Sequence, residues 1–476
     1  MADIDSRYAA IRMFTQKKMQ MLFNTSTFTG NLVIAGIITY FFRNLGYGDA
    51  VDYVFFLALL SIGLWITEAI PPFAVGIFLI VMLIFGFGTD YIFKEAQDIS
   101  IYVGTWTSNV IWLLLGGFFI AEAMKQVGLD RDLFNLTLKY FSNNPERLLL
   151  GLMLTTALGS MIMSNTATTA MMISSVLPLV HLLGKYSPYS KAVLVGIPAA
   201  ASVGGIGTII GSTPNAIAVG ALQERGIHIS FVDWMMVGFP TAIILVLSFW
   251  YYLTRKLDLK SVNLPLENLQ QEKNGSSQAQ KRAVLFTLII TVLMWLTEPF
   301  HGIPIAATSA IPIVLLTLTQ VITAEEVRKL PWDTLMLVAG GLALGMAMVE
   351  VGLVDIIMNK INDLAFAALL VSFLFSVIAV LTSNVMSNTA AASIFVPLGL
   401  NLPYPFNIAT PIIIAISCSC ALMLPVSTPS NAVAYATGMI EQKDFRLGGK
   451  YFIVVGSILA FVASMIWVLI RFNASI

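Results

Sequence analysis

Of the chain's 476 residues, 57% are hydrophobic and only 11% charged, with a mean hydropathy of +0.84. An average soluble protein carries roughly 25% charged residues, so a soluble globule, a disordered chain and a fibrous repeat are excluded. Lys and Arg together number 26, as do Asp and Glu, a balance that gives a nucleic acid no electrostatic footprint.

Residues 1–23 mix charges throughout without a continuous apolar core, which argues against a cleaved signal segment. Tyr8, Ile11, Met19 and Leu22 recur at roughly helical spacing with Arg12, Lys17 and Lys18 between them. This pattern predicts a cytoplasmic amphipathic segment over 1–30, lying on the membrane surface. Apolar runs then follow at 31–42, 51–70, 73–88, 108–127, 148–184, 192–220 and 231–252. The polar stretch 255–282 divides the chain into a first membrane repeat, 31–254, and a second, 283–476. The second half continues with runs at 283–298, 302–320, 333–352, 364–400, 406–437 and 449–471. The two cysteines, Cys418 and Cys420, share one of these runs and read as small buried hydrophobes rather than as a disulfide or metal pair.

Five landmarks occur in the same order in both halves. Trp65-Ile-Thr-Glu68 is echoed by Trp295-Leu-Thr-Glu298, Gly116-Gly117 by Gly340-Gly341, and Val127-Gly-Leu129 by Val351-Gly-Leu353. The pattern Ser160-x-x-Met163-Ser164-Asn165-Thr166-Ala167 returns as Ser383-x-x-Met386-Ser387-Asn388-Thr389-Ala390, and Ser212-Thr213-Pro214 returns as Ser427-Thr428-Pro429. A duplicated transporter-type fold is the expectation. The runs 148–184 and 364–400 are each interrupted by a Ser-Asn-Thr, as in a helical hairpin that enters the membrane and turns back. With these two as re-entrant hairpins and about eleven other spanning helices, the Lys and Arg residues fall on the cytoplasmic side except Arg43, Lys94, Arg225, Lys360 and Arg471. That asymmetry follows the positive-inside rule and makes the repeat an inverted one. It predicts a multi-pass plasma-membrane protein of all-α fold class, with a cytoplasmic N-terminus and an extracytoplasmic C-terminus.

A Ser-Asn-Thr at a hairpin tip leaves N–H groups at one half-helix end and carbonyls at the other without intrahelical partners. The former suit a carboxylate, and the latter, with hydroxyl and amide oxygens, suit a cation such as Na⁺. Ser160 and Ser383, five residues before each Asn, are close enough to add a hydroxyl. A proline in each Ser-Thr-Pro removes an N–H and is expected to break its helix, with Gly204, Gly205, Gly207 and Gly211 loosening the first. A single Ser-Asn-Thr would read as interhelical packing; two copies with matching flanks read as a paired ligand site.

Ser164-Asn165-Thr166 with the following Ala-Thr-Thr-Ala-Met-Met, the second Ser387-Asn388-Thr389, and Ser212-Thr213-Pro214-Asn215-Ala216 resemble the divalent anion:sodium symporters, the INDY-like carriers of dicarboxylates. The resemblance runs from about residue 50 to the C-terminus. It implies a homodimer of eleven-helix protomers in the lipid bilayer, each with a scaffold part and a transport part that moves as an elevator. It also implies that Ser164, Asn165, Thr166, Ser387, Asn388 and Thr389, with Thr213 and Thr428 nearby, hold a C4-type dicarboxylate such as succinate, malate or fumarate. One co-transported Na⁺ is implied among Ser160, Ser164, Asn165 and the backbone near Gly211. A second is implied among Ser383, Asn388, the Met386 carbonyl and the backbone near Ser427. The second broken helix reads Ser427-Thr428-Pro429-Ser430-Asn431, one residue longer before its Asn than the first. Members of the family that exchange dicarboxylates without sodium carry the same motifs, so symport and exchange both stay open.

Glu68 and Glu298 end predicted helices beside prolines and read as interfacial or packing residues, as do Glu122, Lys125 and Glu350 at the ends of the Gly-Gly helices. His181, His228 and His301 are too scattered for a metal site. A membrane-embedded hydrolase with Ser164 or Ser387 as nucleophile is the rival class. It lacks a His or Lys close in sequence, and duplication of a nucleophile has no use in hydrolysis.

Overall fold

The computed structural model describes residues 2–89, 93, 98–141, 144–260, 262, 264, 277–353, 356 and 365–473, with side chains from residue 21 onward except 130 and 365–367. Most of the polar linker, Lys94, Lys360 and the side chains of residues 1–20 lie outside the described residues, and with them most of the expected amphipathic segment. Every regular element among the described residues is helical, and nine helices are long and apolar enough to cross a membrane. Shorter apolar helices, such as Pro72–Phe87 and Phe406–Cys418, accompany them. Several runs that read as continuous in sequence are each split into two helices, so unbroken spans are fewer than apolar runs.

The chain forms two compact units. The first comprises Met1–Thr105 with Ala339–Ile356. Its opening helix, Ala2–Arg43, is continuous through residue 30, where the sequence suggested a boundary; the stretch Met21–Arg43 is apolar enough to span. Helix Asp49–Thr67 stops where Glu68 turns left-handed at φ 49°. Pro72 then begins helix Pro72–Phe87, at the position where its missing N–H would have had no partner anyway. Trp65, with no exposed surface, ties the two helices by donating from Nε1 to Pro72 O at 3.2 Å. In the same unit Gly340 meets Gly76 backbone to backbone: a Cβ on Gly340 would stand 2.2 Å from Gly76 Cα.

The second unit comprises Trp106–Val338 with Ile357–Ile476 and repeats that device. Trp295, also fully buried, donates from Nε1 to Ser309 Oγ at 3.1 Å, and a Cβ on Gly116 would stand 2.7 Å from Ser309 O. The Gly-Gly helix of each sequence half therefore packs on a helix of the other half, a reciprocal arrangement that two-fold-related repeats produce. Helix Pro188–Gly204 with its one-turn extension to Gly207 lies at the centre of this unit: 94% of its apolar window is buried, leaving almost none of it for lipid. Cys418 and Cys420 are free and fully buried, as small apolar side chains.

Candidate substrate and ion site

The two tripeptides break their helices in the same way. Helix Pro145–Ser160 ends, residues 161–164 leave the helical path, and helix Asn165–Leu183 begins; in the second half helix Ala365–Ser383 ends, residues 384–387 turn, and helix Asn388–Gly399 begins. Ser164 and Ser387 are the N-caps, with extended backbone. Each Oγ accepts from the N–H three residues on, Ala167 and Ala390, at 3.2 Å. A cap satisfies one of the orphan N–H groups of a helix start. The others point along the axis toward the break, where the partial positive charge of the helix end favours an anion.

Behind the first break lies a cluster of oxygens. Ser160, with no exposed surface, places Oγ 2.5 Å from the end of the Asn165 amide, which also lies 3.1 Å from Gly211 O and 3.2 Å from Ala201 O. With nitrogen at that position the amide donates to both carbonyls and the hydroxyl. With oxygen there, the amide oxygen faces a hydroxyl and two carbonyls, the kind of donor set that suits a hard cation. Gly205 closes the cage: a Cβ on it would stand 2.7 Å from the Asn165 amide and 2.5 Å from Gly211 O, so only glycine leaves the space open.

The unwound stretch that supplies Gly211 is stitched in place by Thr208 and Asn215, which the sequence did not single out as ligand-site residues. Thr208 Oγ1 donates to Met161 O and accepts from Gly211 N at 3.0 Å. Asn215 Nδ2 donates to Gly205 O at 2.9 Å and Thr208 O at 2.8 Å.

The second half repeats this with variations. Ser383 Oγ donates to Asn388 Oδ1 at 2.6 Å and lies 3.2 Å from Cys418 O. Ser427 bonds to Asn384, with Oγ 2.9 Å from its Oδ1 and 3.1 Å from its carbonyl. Met386 is buried within the break. Thr428 Oγ1 caps the next helix by accepting from Asn431 N at 3.1 Å, while Thr213, Thr166 and Thr389 are half-buried at helix starts. The extra residue before Asn431 leaves its role unchanged: Asn431 Nδ2 donates to Leu424 O at 2.9 Å, as Asn215 does to Thr208 O, in each case to the carbonyl seven residues back.

The prolines act differently from the sequence expectation. Helices Pro188–Gly204 and Phe406–Cys418 end well before the Ser-Thr-Pro motifs, and Pro214 and Pro429 lie in the first turn of the next helices, Thr213–Glu224 and Pro429–Ala436. They start helices rather than break them, because proline's fixed φ and absent N–H suit that position.

The two halves interlock around these elements. Helix Thr213–Glu224 packs on Asn388–Gly399 and Phe406–Cys418, and helix Pro429–Ala436 packs on Asn165–Leu183 and Pro188–Gly204. Ser212 Oγ and Ser419 Oγ meet at 3.2 Å between the two unwound stretches. A cavity of about 820 Å³ opens on the first tripeptide, lined by Ser164, Thr166, Ala167, Ala170, Met171 and Ser174 on one side and by Lys125, Gln126, Gly128 and Arg131 on the other. Lys125, read from sequence as a helix-end residue, thus faces a cavity, and Arg131 joins it there from the next helix. Glu298 and His228, unconnected in sequence, approach to 3.6 Å. Burial raises the Glu298 pKa, opposed by His228 and His301.

A multi-span helical membrane protein whose repeated helix breaks carry capped, oxygen-lined ends has the architecture of a secondary transporter. The sequence profile described as citrate transporter matches residues 62–407, and the chain belongs to that family, as the motifs of the divalent anion:sodium symporters indicated. It is a transporter, not an enzyme, and the hydrolase alternative lapses. It is 27% identical, over 92% of this chain and 91% of the relative, to the sodium-dependent dicarboxylate transporter SdcS of Staphylococcus saprophyticus. It is 30% identical to SdcS of a Staphylococcus aureus strain, over 86% of this chain and 84% of that one. Among solved structures, MtrF of Neisseria gonorrhoeae aligns with a TM-score of 0.54 at 13% identity, covering 84% of this chain and 94% of that chain. The YdaH transporter of Alcanivorax borkumensis aligns at 0.53 and 13%, covering 84% and 98%. These likenesses are of fold.

Proposed function

We propose that the protein moves C4-type dicarboxylates across the plasma membrane, with Na⁺ as co-transported ion. The observation that carries this reading is the paired arrangement of a capped helix start and an oxygen cluster in each half. One substrate carboxylate is taken by the N–H groups and hydroxyls of Ser164, Asn165 and Thr166, the other by those of Ser387, Asn388 and Thr389, with Thr213 and Thr428 at the neighbouring helix starts. Na⁺ ions occupy the oxygen clusters, the first among Ser160, Ser164, Asn165 and the carbonyl of Gly211. The second lies among Ser383, Asn388, the Met386 carbonyl and the backbone at Ser427.

A cation turns the Asn165 amide oxygen inward and its nitrogen toward the substrate side, so that ion and carboxylate bind cooperatively. This coupling favours symport over sodium-independent exchange. The names of the SdcS relatives, sodium-dependent dicarboxylate transporters, agree with it.

The same reading takes 148–184 and 364–400 as re-entrant hairpins of an inverted repeat in a homodimer. It places the N-terminus and linker 255–282 in the cytoplasm and the C-terminus outside, with elevator motion of the part that carries the site. Purified protein in liposomes tests it. Labelled succinate should accumulate under an inward sodium gradient and not when choline replaces sodium. Uptake of sulfate or a monoanion alone would remove the dicarboxylate assignment, and sodium-independent uptake stimulated by internal dicarboxylate would replace symport by exchange.

A further inference from the structure

Two aspartates outside the tripeptides make the same pair of contacts, one in each half. Asp233 and Asp444 each lie three residues after an N-cap, Ser230 and Glu441, and close a capping box at the start of the last span of their half. In each, Oδ2 accepts from the N–H of the cap residue at 3.1 Å. Oδ1 is left for a cation, and the cation comes from the other half. Arg471 Nε, in the last turn of helix Ser457–Arg471, lies 2.7 Å from Asp233 Oδ1. Lys191 Nζ, in the first turn of helix Pro188–Gly204, lies 3.0 Å from Asp444 Oδ1. The two carboxylates are 11% and 7% exposed, so water screens these pairs less than it does a surface ion pair. Lys443, beside Asp444, is engaged by Glu441 at 2.6 Å.

Each aspartate follows, by one short loop, a helix that carries a threonine of the site at its start. Thr213 opens helix Thr213–Glu224, and Thr428 caps helix Pro429–Ala436. With 12 and 8 residues, these are rods of about 18 and 12 Å, their near ends at the site and their far ends running toward the ion pairs. Arg225, just past Glu224, adds a further tie across the halves by donating from Nη2 to Asn401 Oδ1 at 2.9 Å. The two rods differ in how much packing alone can hold them. Pro214 through Leu222 are all buried, whereas Pro429–Ala436 buries Ser430, Asn431 and Ala434.

We propose that Asp233 and Asp444 are positioning residues for transport: each pins the far end of the short helix before it to the opposite half, and thereby sets the threonine at its near end. The inference rests on the dicarboxylate reading for its consequence in binding, but not for the pinning itself.

Hydrogen exchange of the purified, sodium-saturated protein, read peptide by peptide, tests the pinning. D444N keeps an oxygen for the Glu441 N–H and loses the charge, so it breaks the ion pair while sparing the cap. Amides of 430–436 should exchange about tenfold faster in D444N, with those of 215–224 unchanged; D233N should do the reverse, more weakly. K191M should match D444N, K191M/D444N should add nothing further, and K191R, which keeps the charge, should exchange as the wild type does. Unchanged exchange in both D233N and D444N, equal acceleration of both helices by either one, or additive effects in K191M/D444N overturns the pinning. Titration of the same samples with succinate reads the consequence: D444N should bind severalfold more weakly, and unchanged affinity beside faster exchange overturns the positioning role. If the wild type binds no succinate, the dicarboxylate reading fails, and the exchange pattern by itself upholds or overturns the pinning.

Discussion

In the proposed site Asn165 and Asn388 each serve an ion with the amide oxygen and a carboxylate with the amide nitrogen. Replacing either by Ala removes a hydrogen-bonding group worth about 1–3 kcal/mol at a buried site, or roughly tenfold to a hundredfold in affinity. Uptake by either variant at substrate concentrations near the wild-type KM should therefore fall to about a fifth or less, while the elution profile stays that of folded protein. Normal uptake by either one would reduce the tripeptides to packing. Glu298 makes a different kind of prediction. Its Oε2 is buried without a partner, and burial raises its pKa, opposed by His228 and His301. A carboxylate whose folded pKa is raised costs stability once pH climbs above its ordinary range and through the raised value. Glu298→Gln should thus leave thermal stability unchanged near pH 4 and raise it near pH 7, by scanning fluorimetry at both values. A variant less stable at pH 7 would mean that the ion pair with His228 outweighs the burial.

At the scale of elements, the sequence showed where each helix is interrupted because Ser-Asn-Thr occurs twice with matching flanks. It did not show how the interruptions are held. Thr208 and Asn215 act on backbone carbonyls of the unwound stretch and the first break, Asn431 does the same in the second half, and Asn384 Oδ1 there accepts from Met423 N and Ser427 Oγ. None of these leaves a periodic signal. Proline misled for a related reason: as a lone residue in an apolar run it reads as a breaker, but its chemistry fits the first turn of the following helix equally well. Asn215→Ala tests the stitching. It leaves the carbonyls of Gly205 and Thr208 without their amide donor and frees the stretch that presents Gly211, at a cost of about 1–3 kcal/mol. The sodium concentration for half-maximal uptake should rise severalfold while the substrate KM at saturating sodium changes much less. A change confined to substrate KM would place Asn215 with the carboxylate instead.

For the molecule as a whole, composition and hydropathy were enough for the membrane and the all-helical class, because a bilayer admits few ways to satisfy the backbone. The repeat was legible too, but the reciprocal packing of Gly116 on Ser309 and Gly340 on Gly76 came only with the fold. What could not be read was the cavity, since Lys125 and Arg131 lie far in sequence from Ser164 and look like ordinary helix-end charges. The duplication also bears on coupling. On the proposed reading, two oxygen clusters, one per half, each beside a capped helix start, hold more than one Na⁺ before the substrate is held at both ends. The sodium dependence of initial succinate uptake in liposomes, at constant ionic strength with choline as the replacement, tests this most directly. The account predicts a sigmoidal curve with a Hill coefficient above one and no uptake in choline alone; a hyperbolic curve, or uptake indifferent to sodium, would contradict it.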